Sequence, residues 1–273
     1  MANTYWLKQT RDKPLFEDLL WSRPENKRYA GKLLIVGGNL HGFAAPGSAY
    51  GAALKADIGT CRILLPDNLK KIVTLHFSHL QGSSLEIDYA PSTLSGSFSK
   101  TTLAQLLESA EWADGVLLAG DFGRNSETAI LLEGFMNKFA GQVTIAQDGL
   151  DYFWGSKSPL IERFSTLSVI NLGKLQKLAK HNRPATPILH NMMLADLVAT
   201  LHDWTTANPG QIITRHADHF IIASGGQVST TSSAEESNWQ IELAAYASVW
   251  WLQQPQKPFE ALTSSVFDYL KEK

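Results

Sequence analysis

At 273 residues, with 44% apolar and 18% charged side chains, the chain is long enough to bury a full core and reads as globular, not disordered. Its net charge of −2, with acid and base interspersed, offers no electrostatic footprint for nucleic acid. Apolar runs fall short of the ~18 residues of a membrane span, the first residues lack the regions of a signal peptide, and a lone cysteine, Cys61, rules out an internal disulfide. The expectation is a cytoplasmic protein that contacts neither nucleic acid nor membrane.

In chain order, residues 1–30 are polar and proline-bearing and are expected to wrap over the surface as one helix (14–21) and a loop. From Lys32 onward, short apolar runs at 33–36, 61–65, 115–119, 143–146 and 167–171 have the pattern of strands buried on both faces. Helical stretches near 47–58, 68–76, 102–110, 126–139 and 173–181 separate them. Two carry start signals, Pro66-Asp67-Asn68 and Arg124-Asn125-Ser126-Glu127. Strands alternating with helices predict a doubly wound, mostly parallel sheet covered on both sides.

Residues 187–204 then read as an amphipathic helix ending before Asn208-Pro209-Gly210. Strands follow at 211–215, 219–223 and 227–231, the last two joined through Gly225-Gly226 as a hairpin. Helices at 240–253 and 258–271 close the chain. Without a repeat or a linker, residues 1–273 are expected to form one domain. In such sheets ligands bind beyond the carboxyl ends of the strands, and the motifs below lie at such ends.

Gly31-Lys-Leu-Leu-Ile-Val-Gly-Gly38 is a strand running into a glycine turn, followed by a small-residue helix from Pro46 to Gly59. The loop between them holds Gly38, Asn39 and Gly47. It reads either as a cradle for a phosphate at a helix N-terminus or as a turn whose glycines only satisfy geometry. Together with Leu117-Leu-Ala-Gly-Asp-Phe-Gly-Arg124, this opening resembles the ADP/ATP-dependent NAD(P)H-hydrate dehydratases of the ribokinase-like superfamily. The resemblance implies a ribokinase-like three-layer α/β/α sandwich with a C-terminal hairpin and two helices. It also implies ATP or ADP with magnesium as cofactor and NAD(P)H or its hydrate as ligand. In the intact family the nucleotide phosphorylates the hydrated ring, and loss of phosphate regenerates NAD(P)H.

Residue by residue, the resemblance places Gly38, Asn39, Gly47, Gly123, Arg124 and Asn171 on the substrate side and Gly173, Arg215 and His216 on the cofactor side. Gly123 and Arg124 match the family's Gly-Pro-Gly-Leu-Gly-Arg, whereas two of its glycines have become Ala119 and Asp121. Asp148 retains the second aspartate of Leu-Asp-Ala-Asp-Ala-Leu. It reads as a contact to a ribose or a metal-bound water, or as an ordinary helix N-cap. Asn171 and Lys174 replace a histidine and a glutamate, and Arg215 and His216 replace a lysine and a glycine.

The family's Gly-Gly-Ser-Gly-Asp, whose amides hold phosphates and whose aspartate is the base, is not legible in residues 232–246; Glu242 aligns with the base only after a shift. Losing an anion hole and a base costs ~10²–10³ and ~10²–10⁴ in rate respectively.

No metal site is expected. Histidines 76 and 79, and 216 and 219, share i, i+3 spacing without a third ligand. Three readings stay open: a nucleotide-binding relative with eroded catalysis, an active dehydratase or small-molecule kinase using Glu242 or Asp148, and a non-catalytic oligomeric module. In the last, Phe122, Trp239 and His216 fill the cleft and the C-terminal helices associate. Trp239, Tyr246, Trp250 and Trp251 mark the helix to watch for homo-oligomer formation.

Overall fold

The apolar runs of the sequence become the inner strands of a ten-stranded sheet, seen in a computed structural model that describes residues 4–77, 86–155, 158–182, 184, 186–233 and 239–273. The strands are β1 (Trp6–Gln9), β2 (Lys32–Gly37), β3 (Thr60–Pro66), β4 (Glu86–Ala90), β5 (Gly115–Gly120), β6 (Gln142–Ala146), β7 (Thr166–Asn171), β8 (Gln211–His216), β9 (His219–Ser224) and β10 (Gln227–Ser232). Their spatial order is β1-β10-β9-β8-β7-β6-β5-β2-β3-β4. Pairings from β4 through to β8 are parallel; β9 runs against both β8 and β10, and β1 is parallel to β10. The chain order reverses between β2 and β5, which makes their carboxyl ends the topological switch point of the sheet.

Side chains alternate between the two faces, as double burial requires. Leu33 and Ile35 join a core with α2 (Ala44–Lys55), α9 (Trp239–Gln253) and α10 (Pro258–Lys271). Leu34 and Val36 join the opposite core with α4 (Leu103–Trp112), α5 (Ser126–Lys138), α7 (Leu172–Asn182) and α8 (Leu194–Ala207). Short helices α1 (Glu17–Trp21), α3 (Lys70–Phe77) and α6 (Pro159–Glu162) complete the layers. This is the three-layer α/β/α sandwich expected from the sequence, with its hairpin and two closing helices.

Four differences from expectation have identifiable causes. Residues 1–30 do wrap the surface, but they also supply the edge strand β1, whose Gln9 side chain donates to Thr231 Oγ1 (3.1 Å) and the Thr263 carbonyl (3.0 Å). The same Gln9 accepts the Leu15 amide (3.2 Å), which holds residues 14–16 out of the expected helix, so α1 starts at Glu17. Beyond it, Arg23 pairs with Asp268 (3.1 Å) over the Trp250 ring and clasps the segment to α9 and α10. A second edge strand, β4, was not foreseen; it is only half-buried. Finally, α8 begins at Leu194, because residues 187–193 are drawn into a loop whose Met192 carbonyl contacts the His216 ring (2.9 Å).

The aromatic residues expected at a self-association surface are inside the chain. Trp250 is fully buried, and Trp239, Tyr246 and Trp251 are nearly so, with Trp239 packed edge-on against Phe220. Phe122 is likewise part of the α5-side core. Cys61 lies buried in β3, as a small core residue.

Candidate functional site

The switch point sets the site. Gly37 and Gly120 let β2 and β5 meet so closely that a Cβ on Gly37 would lie 2.4 Å from the Gly120 carbonyl. Gly38, at φ +90, then donates its amide to that carbonyl (3.0 Å) and turns the chain toward α2. Asn39, nearly buried, ties the turn together: its side-chain amide donates to the Asp121 carbonyl and its oxygen accepts the His41 amide (2.7 Å). Both ends of Asn39 are thus used within the protein. Gly47 sits inside α2 with open space around it, so nothing there demands glycine.

Asp121 stands where a glycine stands in the resembled motif, and its backbone keeps a glycine-like φ of +58. Left-handed backbone at a non-glycine residue is uncommon, and aspartate is among the residues that tolerate it best. The conformation brings its carboxylate to the start of α2, where Oδ2 accepts the Ala45 amide at 2.7 Å. Residue Phe43 at the helix boundary offers no capping side chain, so Asp121 caps α2 from another loop. The amides expected to cradle a phosphate therefore already face a carboxylate.

Asp148 lies opposite, in the 3-10 turn Gln147–Phe153 that follows β6. The N-cap reading does not hold: Ala146 is the boundary residue, and Asp148 Oδ2 accepts the Gly123 amide from the neighbouring loop (3.1 Å). Its Oδ1 is buried against Gly120 and has no hydrogen-bond partner among the described residues. Burial away from water pushes the Asp148 carboxyl above its ordinary range and the charge of Asp121 adds to this, while the Gly123 amide and Lys174 pull the other way.

Gln147 beside it is also left-handed (φ +49). Lys174 holds it there, donating to its carbonyl (2.6 Å) and pairing with Asp151 (3.0 Å). The basic residue that replaces a family glutamate is thus committed to the turn. Left-handed residues at 121 and 147 come together beside Gly120, whose Cβ position lies 2.9 Å from the Gln147 side chain, and such clustered strain is a common sign of a functional site.

Gly123, Arg124, Asn125, Ser126, Asp148, Asp151, Tyr152 and Lys177 line a cleft of about 710 Å³ at this edge. Gly123 has φ +72 and its carbonyl accepts the Tyr152 hydroxyl. Asn125 caps α5 through the Glu127 (2.8 Å) and Thr128 (3.4 Å) amides, as its sequence position predicted. Arg124 is exposed and makes no hydrogen bond or ion pair among the described residues. Lys177 lies over the Trp154 ring at 4.7 Å.

The remaining expected site residues are placed apart from this cluster or are spent on structure. Asn171 accepts the Lys174 amide (2.9 Å) and so caps α7, in whose first turn Gly173 lies exposed. Arg215, at the end of β8, donates to the Ser233 carbonyl (3.4 Å), and its buried Nε lacks a partner among the described residues. His216 is held by the Met192 carbonyl.

Glu242, in the first turn of α9, pairs with Lys273 (2.9 Å) in a recess shared with α2 and α10, and none of the residues around Asp148 lines that recess. In the same turn it is Gln240 that reaches the sheet, donating to the Val169 carbonyl of β7 (3.4 Å). Residues 234–238, in the place of the family's glycine motif, lie outside the described residues, as does His79. Sequence reasoning missed the role of Asp121 and the Lys174–Gln147 tether; the substitutions of a glycine at 121 and of a glutamate at 174 were their visible signals.

Among the described residues, no group of three or more His, Cys, Asp or Glu side chains is placed to hold a metal ion, and no helix is long and apolar enough to cross a membrane. No protein-family model matches the chain, and no curated protein matches it. Solved structures do. A ribokinase-like superfamily protein from Enterococcus faecalis superimposes with a TM-score of 0.68, covering 98% of this chain and 88% of its own, at 12% identity. The ADP/ATP-dependent NAD(P)H-hydrate dehydratase of Bacillus subtilis, co-crystallised with ATP and Mg²⁺, gives 0.61 over 93% and 86%, at 12% identity. A phosphomethylpyrimidine kinase from Clostridium difficile gives 0.51 over 89% and 99%, at 10% identity. At such identities the likeness establishes the fold, which is ribokinase-like.

Proposed function

We propose that this chain, one ribokinase-like domain over residues 1–273, binds a nucleotide or dinucleotide in the cleft beside Asp148. In this reading it is a divergent relative of the NAD(P)H-hydrate dehydratases with an eroded phosphoryl-transfer apparatus. One observation carries the reading. The cleft brings a carboxylate residue, Asp148, together with two exposed cations, Arg124 and Lys177. Its volume of about 710 Å³ is that of a small-molecule site. A ligand that carries both hydroxyl or amide donors and a phosphate finds partners of both kinds there, which fits NAD(P)H and also ATP or ADP.

The fit to a transferring phosphate with magnesium is poor. Magnesium is commonly held by one or two carboxylates together with substrate phosphates. Here one oxygen of Asp121 is engaged with the α2 amide and one of Asp148 with the Gly123 amide. The α2 terminus, which would hold a phosphate, faces Asp121 instead. Glu242 is ion-paired away from the cleft, which leaves Asp148 as the carboxylate available to a base role. No phosphoryl-transfer step follows from these residues.

Thermal unfolding with NADH, NADPH, ADP or ATP, with and without magnesium, tests the binding reading. Stabilisation should grow with ligand concentration, by ~2.7 kcal/mol at one hundred times the dissociation constant. Recovery of NADH from hydrated NADH, run beside an intact dehydratase, should remain at background. Absence of stabilisation by all four ligands overturns the reading and leaves the interaction module. Nucleotide-dependent recovery would instead make the chain an active dehydratase.

A further inference from the structure

We infer that the recess between α2, α9 and α10 is a second binding site, separate from the cleft beside Asp148, and that it takes a small zwitterion: a free amino acid whose side chain carries a hydroxyl or an amide. Neither the place nor the chemistry of this site depends on the nucleotide reading above.

The recess is built by helices alone. Helix α2 supplies Gly51 and Lys55, while Glu242 and Tyr246 come from α9, one turn apart and so on one face. Glu272 and Lys273, just beyond α10, close the third side. A Cβ on Gly51 would meet nothing within 4 Å, so the α2 wall is bare there. The volume is about 160 Å³ against about 710 Å³ for the cleft. Sites for drug-sized ligands run to ~300–1,000 Å³, so this one has room for an amino acid and not for a nucleotide.

Its charges are left over in a defined way. Lys273 pairs with Glu242 at 2.9 Å. That leaves Lys55 and Glu272, both exposed, with no hydrogen bond or ion pair among the described residues. One unpaired cation and one unpaired anion on the same recess complement the carboxylate and the ammonium of an amino acid. Exposed charges alone bind weakly, and a third group makes the recess more than a solvated face. Tyr246 is 2% exposed, and its buried hydroxyl has no hydrogen-bond partner among the described residues. Burial pushes that hydroxyl above the ordinary tyrosine range, and the charges of Asp268, Glu272 and Glu242 add to it against the pull of Arg23. Glu242 and Glu272 are recess residues, so the hydroxyl stands at the inner wall and keeps its proton. An unpartnered buried hydroxyl is costly, and a ligand oxygen drawn to that wall satisfies it.

Titration calorimetry of the full chain with L-serine and L-asparagine tests the assignment. L-lactate, which lacks the ammonium, and ethanolamine, which lacks the carboxylate, are the control probes. At least one amino acid should bind, and both controls should bind about tenfold more weakly or not at all. Lys55→Gln removes only an exposed cation, and Tyr246→Phe only the hydroxyl. Each should weaken amino-acid binding about tenfold. Tyr246→Phe should nevertheless melt no lower than wild type, because it removes an unsatisfied group and keeps the ring. Binding of neither amino acid, lactate or ethanolamine binding equally well, or an affinity that either variant leaves unchanged overturns the proposal and makes the recess a pocket of ordered water. NADH should titrate into Tyr246→Phe as into wild type, so the nucleotide reading stands or falls by itself.

Discussion

Burial away from water holds the Asp148 carboxyl above its ordinary range, so the folded protein binds this proton more readily than the unfolded chain. Between the unfolded value near 3.8 and the raised folded value, the native state carries the extra proton and the contribution of this group to stability falls as pH rises. Above both values the charged carboxylate is a constant liability. Asp148→Asn should therefore raise Tm at pH 7 and remove that part of the pH dependence, as measured by thermal scans across the acid range. The same change should weaken nucleotide binding about 10- to 100-fold, the loss of a hydrogen bond to a charged group worth ~1.5–3 kcal/mol. A variant that gains stability without losing affinity would show that Asp148 is strained for some purpose other than this ligand. Asp148 was visible in the sequence as a motif residue, but its partner was not. The Gly123 amide comes from a loop 25 residues earlier, and Asp121 reaches across 76 residues to Ala45. Pairings of that separation leave no periodic trace in a single sequence.

Elements buried on both faces were legible; those at the edges were not. A central parallel strand shows as an unbroken apolar run, and β2, β5 and β7 each differ from expectation by a residue or two at their ends. The edge strand β1 reads Trp-Leu-Lys-Gln and has no such run. What fixes it lies in β10, where Thr230 accepts the Trp6 indole (3.0 Å) and Thr231 accepts the Gln9 amide (3.1 Å). Gln9 is nearly buried and its amide makes three contacts, to Thr231, Thr263 and Leu15. Gln9→Ala should cost about 1–3 kcal/mol, because it strands buried partners as well as removing bonds. The exposed neighbour Lys8→Ala should change stability by no more than ~0.5 kcal/mol. Urea midpoints with unchanged m-values would check both. Equal effects at the two positions would mean that β1 is held by its backbone alone. The loop before α8 teaches the same point, since an amphipathic pattern over 187–204 was overridden by the contact between Met192 and His216.

One continuous sheet with a core on each face predicts that the site and the core open together, and Cys61 is the reporter. It is 4% exposed in β3, and burial pushes its thiol up to about 12, so the native protein offers almost no thiolate. Its strand pairs with β2 on one side and β4 on the other, and its side chain shares a core with α2 and α9. Labelling by a thiol reagent must then wait for an opening, either of the whole molecule or of the β3–β4 edge alone. One helix of the core that Cys61 joins, α2, is the one whose N-terminus Asp121 caps, and its glycine loop joins the switch point. Global opening is therefore the expected route. A ligand bound at the cleft should slow labelling in proportion to 1 + [L]/Kd, about 100-fold at one hundred times Kd. Asp148→Asn should slow it without ligand, through its gain in stability, and lose most of the ligand effect. Labelling that is fast in native buffer and indifferent to ligand would place the opening at the β3–β4 edge. That result would show that the switch-point cleft and the outer strands are separate cooperative units of one sheet.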